Sequence, residues 1–210
     1  MKIGILGSGT VGRSLAQGFQ GKGYEVLIGT RDPEKEELKA WKAAGGHIAS
    51  PSETAQSADV AILATAWSGA KPVIDLAGKD AFSGKLLIDV TNPLEFGQSG
   101  PELSVGFSAS AGETVQSWLP EARVVKCWNI ITAAFMCDGS YEGGRLDMFI
   151  AGNDETAKKQ VAGFLDEFQW NCHDLGGIDQ SRILEPFAML WIRYGVKNQI
   201  WNHAFKMVRK

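Results

Sequence analysis

Residues 1–31, MKIGILGSGTVGRSLAQGFQGKGYEVLIGTR, decide the fold. Apolar residues at Ile3, Ile5 and Leu6 fit a short buried strand over residues 2–6, and the cluster Gly7-Ser8-Gly9-Thr10-Val11-Gly12 follows at once. Leu15, Ala16 and Phe19 then recur at helical spacing, with Gly21 and Gly23 as the stop before a second strand over residues 25–29. In a strand, glycine turn, helix and strand, each glycine has a task. Gly7 permits the tight turn, Gly9 lets backbone approach a pyrophosphate, and Gly12 lets the helix pack closely on the sheet. The free N–H groups and partial positive charge at the helix start hold phosphate without a cationic side chain. A glycine-rich turn also occurs without a ligand, but its place in this frame favours a dinucleotide.

Cofactor selectivity is read at the end of the second strand, where NAD-binding chains place an Asp or Glu against the ribose hydroxyls. Here Thr30 stands in that place, Arg31 follows, and Lys35 lies about one helical turn further on. A carboxylate would repel a 2′-phosphate, whereas a hydroxyl and two cations would bind it. The reading is NADP.

The rest of the chain extends the same unit. Residues 33–44 are predicted helical, 47–49 a short strand and Ser50-Pro51-Ser52-Glu53 the start of a brief helix. Further strands are expected at 60–64, 85–90, 123–128, 147–152 and, at an edge, 170–175; helices are expected at 67–77, 114–119 and 155–168. This gives six to eight strands in an α/β, doubly wound, mostly parallel sheet. Ligands bind at strand ends in such sheets, so Thr65, Ala66 and Trp67, and Thr91, Asn92 and Pro93, are candidate contacts to the ribose and nicotinamide; turn chemistry explains either group equally. Residues 97–112 read as a Gly/Ser-rich loop over the site and a candidate lid. From Gln180 onward Ile183, Leu184, Phe187, Leu190, Trp191 and Tyr194, then Ile200, Trp201, Phe205 and Val208, suggest a long helical segment with a break near Gly195. Its apolar face is read as core or as a homodimer interface. The chain thus divides into a dinucleotide-binding domain over 1–176 and a helical extension over 177–210 that closes the cleft.

Composition narrows the partners. An apolar content of 44% is ample for a core, and a net charge of −3 with dispersed basic residues gives no surface for nucleic acid or an anionic membrane. Cys127, Cys137 and Cys172 follow no disulfide or metal-ligand spacing, so reduced thiols, a cytoplasmic location and no metal site are expected. No export signal or membrane-length apolar run is seen. A small-molecule partner is the default.

GILGSGTVG, GTRDPEK, RVVKCWNIITAAFM, DMFIAGNDETAKK and QSRILEPFAMLWIRYG together resemble the 8-hydroxy-5-deazaflavin:NADPH oxidoreductases, over nearly the whole chain. Through VVKCWN they are also similar to the cytosolic NADPH-binding domain of six-transmembrane metalloreductases. The resemblance implies a Rossmann domain with a small C-terminal helical extension, the nicotinamide in the cleft between them, and a deazaflavin- or flavin-type ring stacked near it as the hydride partner. By position it implies the pyrophosphate on Ser8, Gly9, Thr10, Val11 and Gly12, and the 2′-phosphate on Thr30, Arg31 and Lys35. It further implies the nicotinamide amide near Ala133 and Asn129 flanking the acceptor ring. The chain has Asn129-Ile130-Ile131-Thr132-Ala133 where deazaflavin enzymes carry His-x-x-Pro-Ala.

Hydride transfer between two rings needs placement more than a proton donor, which suits a chain whose His47, His173 and His203 form no constellation. The alternatives are reduction of a carbonyl or hydroxy-acid substrate and a non-catalytic NADPH-binding sensor. The first needs a proton partner, and Lys197 sits roughly 100–140° from Asn198 and Asn202 around a ~3.6-residue helix, out of line with both. Arg182 and Glu185 either face the acceptor or form a plain helical ion pair, and the second reading is favoured.

Overall fold

Strand and helix alternate from the first residues, and a computed structural model describes residues 1–98 and 100–208. In order the elements are β1 (Lys2–Leu6), α1 (Thr10–Gly21), β2 (Glu25–Gly29), α2 (Lys39–Ala43), β3 (His47–Ala49), α3 (Pro51–Ser57), β4 (Val60–Leu63), α4 (Trp67–Ala77) and β5 (Leu86–Asp89). There follow β6 (Leu94–Gly97), β7 (Gly100–Leu103), α5 (Ala111–Trp118), β8 (Arg123–Lys126), β9 (Ser140–Tyr141), β10 (Gly144–Arg145), β11 (Asp147–Gly152), α6 (Glu155–Glu167), β12 (Asn171–Asp174) and α7 (Ser181–Asn198).

Eight of the strands form one sheet in the order β12-β11-β8-β5-β4-β1-β2-β3. Every neighbouring pair is parallel except β8 with β11. Both faces are covered, which the strands show in their period of two: Val60 and Ile62 of β4 enter one core with Phe19 of α1 and Phe164 of α6, while Ala61 and Leu63 enter the other with Ile74 of α4 and Val115 of α5. Phe19 is the aromatic centre of the first core, edge-on to Phe168, Phe164 and Trp128 at centroid distances of 5.0, 5.2 and 6.1 Å. Ser50 starts α3 with a reciprocal capping box to Glu53.

Three expectations change. Residues 33–44 do not form one helix: a turn and a short 3-10 stretch at Glu36–Leu38 precede α2, whose five residues bury Trp41. The 97–112 segment is not simply a loop, because β6 and β7 pair as an antiparallel hairpin, and the following helix begins at Ala111 rather than 114. The C-terminal helix stops at Asn198, where Gln199 takes φ 54°. Ile200, Trp201, Phe205 and Val208 therefore lie on irregular chain, which folds back along α7: Phe205 stacks on Phe187 at 4.1 Å, His203 on Trp191 at 4.8 Å, and Trp191 Nε1 donates to the His203 carbonyl. Ile183, Leu190 and Tyr194 stay exposed on α7. No described helix is long and apolar enough to cross a membrane.

Candidate active site

The strand order reverses between β1 and β4, and a doubly wound sheet opens its crevice at that point, beyond the carboxyl ends of the strands. A groove of about 350 Å³ lies there, lined by Gly9, Thr10 and Val11 of the glycine turn, Ala64, Thr65, Ala66 and Trp67 after β4, Val90, Thr91 and Asn92 after β5, and Leu94 and Phe96 of the hairpin. Thr65, Ala66, Trp67 and Asn92 thus meet as the sequence suggests. Pro93 is buried behind the groove, where its carbonyl accepts hydrogen bonds from the Ser104 N–H and hydroxyl that anchor the hairpin.

The three motif glycines separate by role. Gly7 has φ 133°, and a Cβ there would stand 2.3 Å from the Ala64 carbonyl oxygen; one on Gly12 would stand 2.0 Å from the Gly7 carbonyl oxygen. Both positions are closed by the protein itself. Gly9 has φ −71°, open to any residue, and a Cβ there meets nothing within 4 Å. Unlike Gly7 and Gly12, that position is exposed and left open by the protein at the start of α1. Helix α1 has no side-chain cap and no acid in its first turn, which leaves its N–H groups for an anion. Arg13, half-buried, donates to the Ser8 carbonyl and braces the turn.

At the end of β2, Thr30 Oγ1 accepts from the Asp32 N–H at 3.2 Å and lies 3.2 Å from Ser8 Oγ. Arg31 and Lys35 are exposed, while the neighbouring acids are drawn elsewhere: Glu34 pairs with Lys42 and Glu36 with Lys39. Among the described residues no acidic side chain pairs with Arg31 or Lys35.

Asn129 and Ala133 do not line the groove. Asn129 is 5% exposed and follows Trp128, whose φ of 56° turns the chain after β8. Asn129 Nδ2 donates to Asn92 Oδ1 at 3.0 Å and to the Leu184 carbonyl at 2.9 Å, so it links the groove wall to α7. Two buried polar atoms in this region, Thr65 Oγ1 in the groove wall and Asn129 Oδ1 behind it, have no protein partner. Buried polar groups are seldom left so, and of these two only Thr65 belongs to a residue that lines the groove.

Sequence reading missed a buried charge cluster beneath the groove. Lys126 at the end of β8 is fully buried, its Nζ 2.7 Å from Asp89 Oδ2, 2.9 Å from Glu185 Oε1 and donating to the Thr91 carbonyl at 2.8 Å. Glu185 also accepts from the Ala111 and Gly112 N–H groups at the start of α5. The expected Arg182–Glu185 pair is therefore wrong: Glu185 faces the core, and Arg182 reaches Glu113 instead. Burial alone would lower the Lys126 pKa, but the two carboxylates outweigh it and raise it. Lys197, the residue considered for carbonyl chemistry, is exposed in the last turn of α7, and Asn202 lies beyond the helix.

Comparison with known proteins gives one direction. The family model described as NADP oxidoreductase coenzyme F420-dependent matches residues 2–93. The F420-dependent NADP reductase of Methanothermobacter marburgensis is 30% identical over 99% of this chain and 98% of its own. A putative F420-dependent NADP-reductase from Arthrobacter sp. FB24 superposes with TM-score 0.93 at 36% identity, covering 100% of both chains. Metalloreductase STEAP3 of Rattus norvegicus is 30% identical over 90% of this chain but only 36% of its own, so the present chain spans about a third of that protein. The match along the whole length of the Methanothermobacter enzyme places the chain in the F420-dependent NADP reductase family.

Proposed function

We propose that the protein is an NADP(H)-dependent oxidoreductase exchanging a hydride between the nicotinamide and a deazaflavin of the coenzyme F420 type. The observation that carries the cofactor half is the open approach at Gly9, where an added Cβ would meet no protein atom within 4 Å directly in front of the uncapped start of α1. The acceptor half is supported by the names of relatives that match along the whole chain. When bound, NADPH supplies the hydride. The chain's own residues bind and orient: the α1 N-terminus takes the pyrophosphate, Thr30, Arg31 and Lys35 the 2′-phosphate, and Thr65 with Asn92 the sugar and nicotinamide end. Asn129 holds Asn92 in place and retains an unused acceptor, Oδ1, behind the groove wall, and Ala133, which does not line the groove, is assigned to the carboxamide by the family resemblance alone. Placement of two rings face to face accounts for most of the rate. Oxidation of NADPH should therefore be followed by stopped flow against coenzyme F420, FMN, FAD and a ferric chelate, with F420 expected to react fastest. Turnover with the chelate alone would move the chain to the metalloreductase reading, and turnover with small carbonyl compounds alone would overturn a ring acceptor.

Arg31→Ala tests the phosphate site. A hydrogen bond to a charged group contributes about 1.5–3 kcal/mol, so the variant should bind NADPH roughly 10- to 100-fold more weakly and NADH as before. Equal losses for both by calorimetry would remove Arg31 from this role.

Residues 1–176 serve as the NADP-binding unit and 177–210 as the extension closing the cleft, a role supported by the Leu184 carbonyl of α7 accepting from Asn129 behind the groove wall, although no described residue of the extension lines the groove itself. The exposed Ile183, Leu190 and Tyr194 support a homodimer through α7, which sedimentation of wild type against Leu190→Glu would test. The free thiols support a reducing, cytoplasmic setting: burial holds Cys137 up at about 12 and Cys172 at about 11, which keeps both unreactive.

A further inference from the structure

The hairpin β6–β7 is two-faced. Paired residues of an antiparallel hairpin share a face, and the register sets Leu94 opposite Leu103 and Phe96 opposite Pro101. One face is therefore apolar, with Leu94, Phe96, Pro101 and Leu103, and the other carries Glu95 opposite Glu102. The apolar face is the one turned to the groove, since Leu94 and Phe96 line it together with Thr91, Asn92 and the glycine turn. Phe96 nevertheless remains 82% exposed, a phenyl ring standing at the mouth of the crevice with its surface uncovered. The hairpin is held in this pose at its base by the Ser104 N–H and hydroxyl on the Pro93 carbonyl, immediately after the groove residue Asn92.

From this we infer that Phe96 is the stacking wall for the acceptor ring, the residue that selects a flat, aromatic hydride acceptor over a small carbonyl compound. The inference rests on the ring-acceptor reading of the same site. The dinucleotide takes the wall made by the glycine turn and the residues after β4. The side of the groove opposite that wall is bounded by Leu94 and Phe96 of the hairpin. A planar tricyclic ring entering there covers the phenyl face and gives Phe96 the contact that the protein alone does not. The acids at Glu95 and Glu102 lie on the opposite face and take no part in holding the ring.

The test compares wild type, Phe96→Ala, Phe96→Tyr and, as a control, Phe107→Ala, which removes another phenyl group that is 92% exposed but outside the groove. Two quantities are measured on the full chain: KM for coenzyme F420 with saturating NADPH, and the dissociation constant for F420 on protein loaded with NADP⁺. Phe96→Ala should raise both by about tenfold, equivalent to ~1.4 kcal/mol, a scale that ring stacking reaches. The NADPH dissociation constant should not move. Phe96→Tyr should recover wild-type values, and Phe107→Ala should match wild type. An unchanged F420 affinity in Phe96→Ala, with wild type active, overturns this role alone. Equal weakening of NADPH places Phe96 in the dinucleotide site and overturns it likewise. Failure of wild type itself to bind or reduce F420 overturns both this role and the function on which it rests.

Discussion

Gly9→Val abolishes NADPH binding while the apoprotein keeps its fold. The backbone there is in a region any residue adopts, and an added Cβ would meet no protein atom within 4 Å. Valine would instead stand in front of the α1 N-terminus and deny a phosphate the first-turn N–H groups. Losing two charge-assisted hydrogen bonds, each about 1.5–3 kcal/mol, weakens binding roughly 10²- to 10⁴-fold. The measurement is thermal unfolding with and without NADPH: the apo midpoint should match wild type, and the ligand-induced rise should vanish. Gly7→Val and Gly12→Val provide the contrast. In both, the added Cβ runs into backbone oxygen, so the apo midpoint itself should collapse. A Gly9→Val protein with a normal NADPH-induced rise would show that the pyrophosphate does not lie over this turn.

The first half of the chain was legible because its geometry is local. Gly7 must be glycine for its φ, Ser50 and Glu53 cap each other three residues apart, and the central strand β4 is buried on both faces and so reads as an unbroken apolar run. What escaped depends on residues far apart in sequence. Lys126 lies within the strand expected over 123–128 with no partner marked near it in sequence; its burial is set by Asp89 on β5 and Glu185 on α7. Arg182 and Glu185 have the spacing of a helical pair, yet the helix places Glu185 in the core, and Glu113 of α5 takes the arginine. The apolar periodicity after Gly195 continues past the point where Gln199 turns left-handed, because Trp201, His203 and Phe205 pack on α7 from outside rather than extend it. In the hairpin, glycine and serine were read for flexibility, while the alternation of Leu94 and Phe96 with Glu95 carried the structure. That alternation was the available signal for two groove residues the sequence reading did not name.

Lys126→Met should be strongly destabilising, costing ~3–5 kcal/mol, because removing one partner of a buried ion cluster leaves the others without compensation. Asp89 and Glu185 are both 0% exposed and would face each other across an apolar side chain. The damage reaches the groove, since Lys126 also holds the Thr91 carbonyl and Asp89 Oδ1 accepts from the Thr91 N–H and hydroxyl. The urea midpoint should fall with the slope unchanged, and NADPH should bind more weakly to what remains folded. Adding Glu185→Gln removes one of the stranded charges and should recover part of the loss, although the amide oxygen can accept from only one of the two α5 N–H groups and the amide NH2 leaves the other without its acceptor. The pH dependence has a definite sign. The Lys126 pKa is higher folded than its ordinary 10.5, so its contribution is complete below that value and is lost only as pH rises through the folded one. Wild type should therefore lose this stabilisation under alkaline conditions, and Lys126→Met should lack that alkaline step. A single variant with a midpoint near wild type would show that the cluster does not hold α7 and α5 to the sheet, and the placement of Asn92 would have to rest on Asn129 alone.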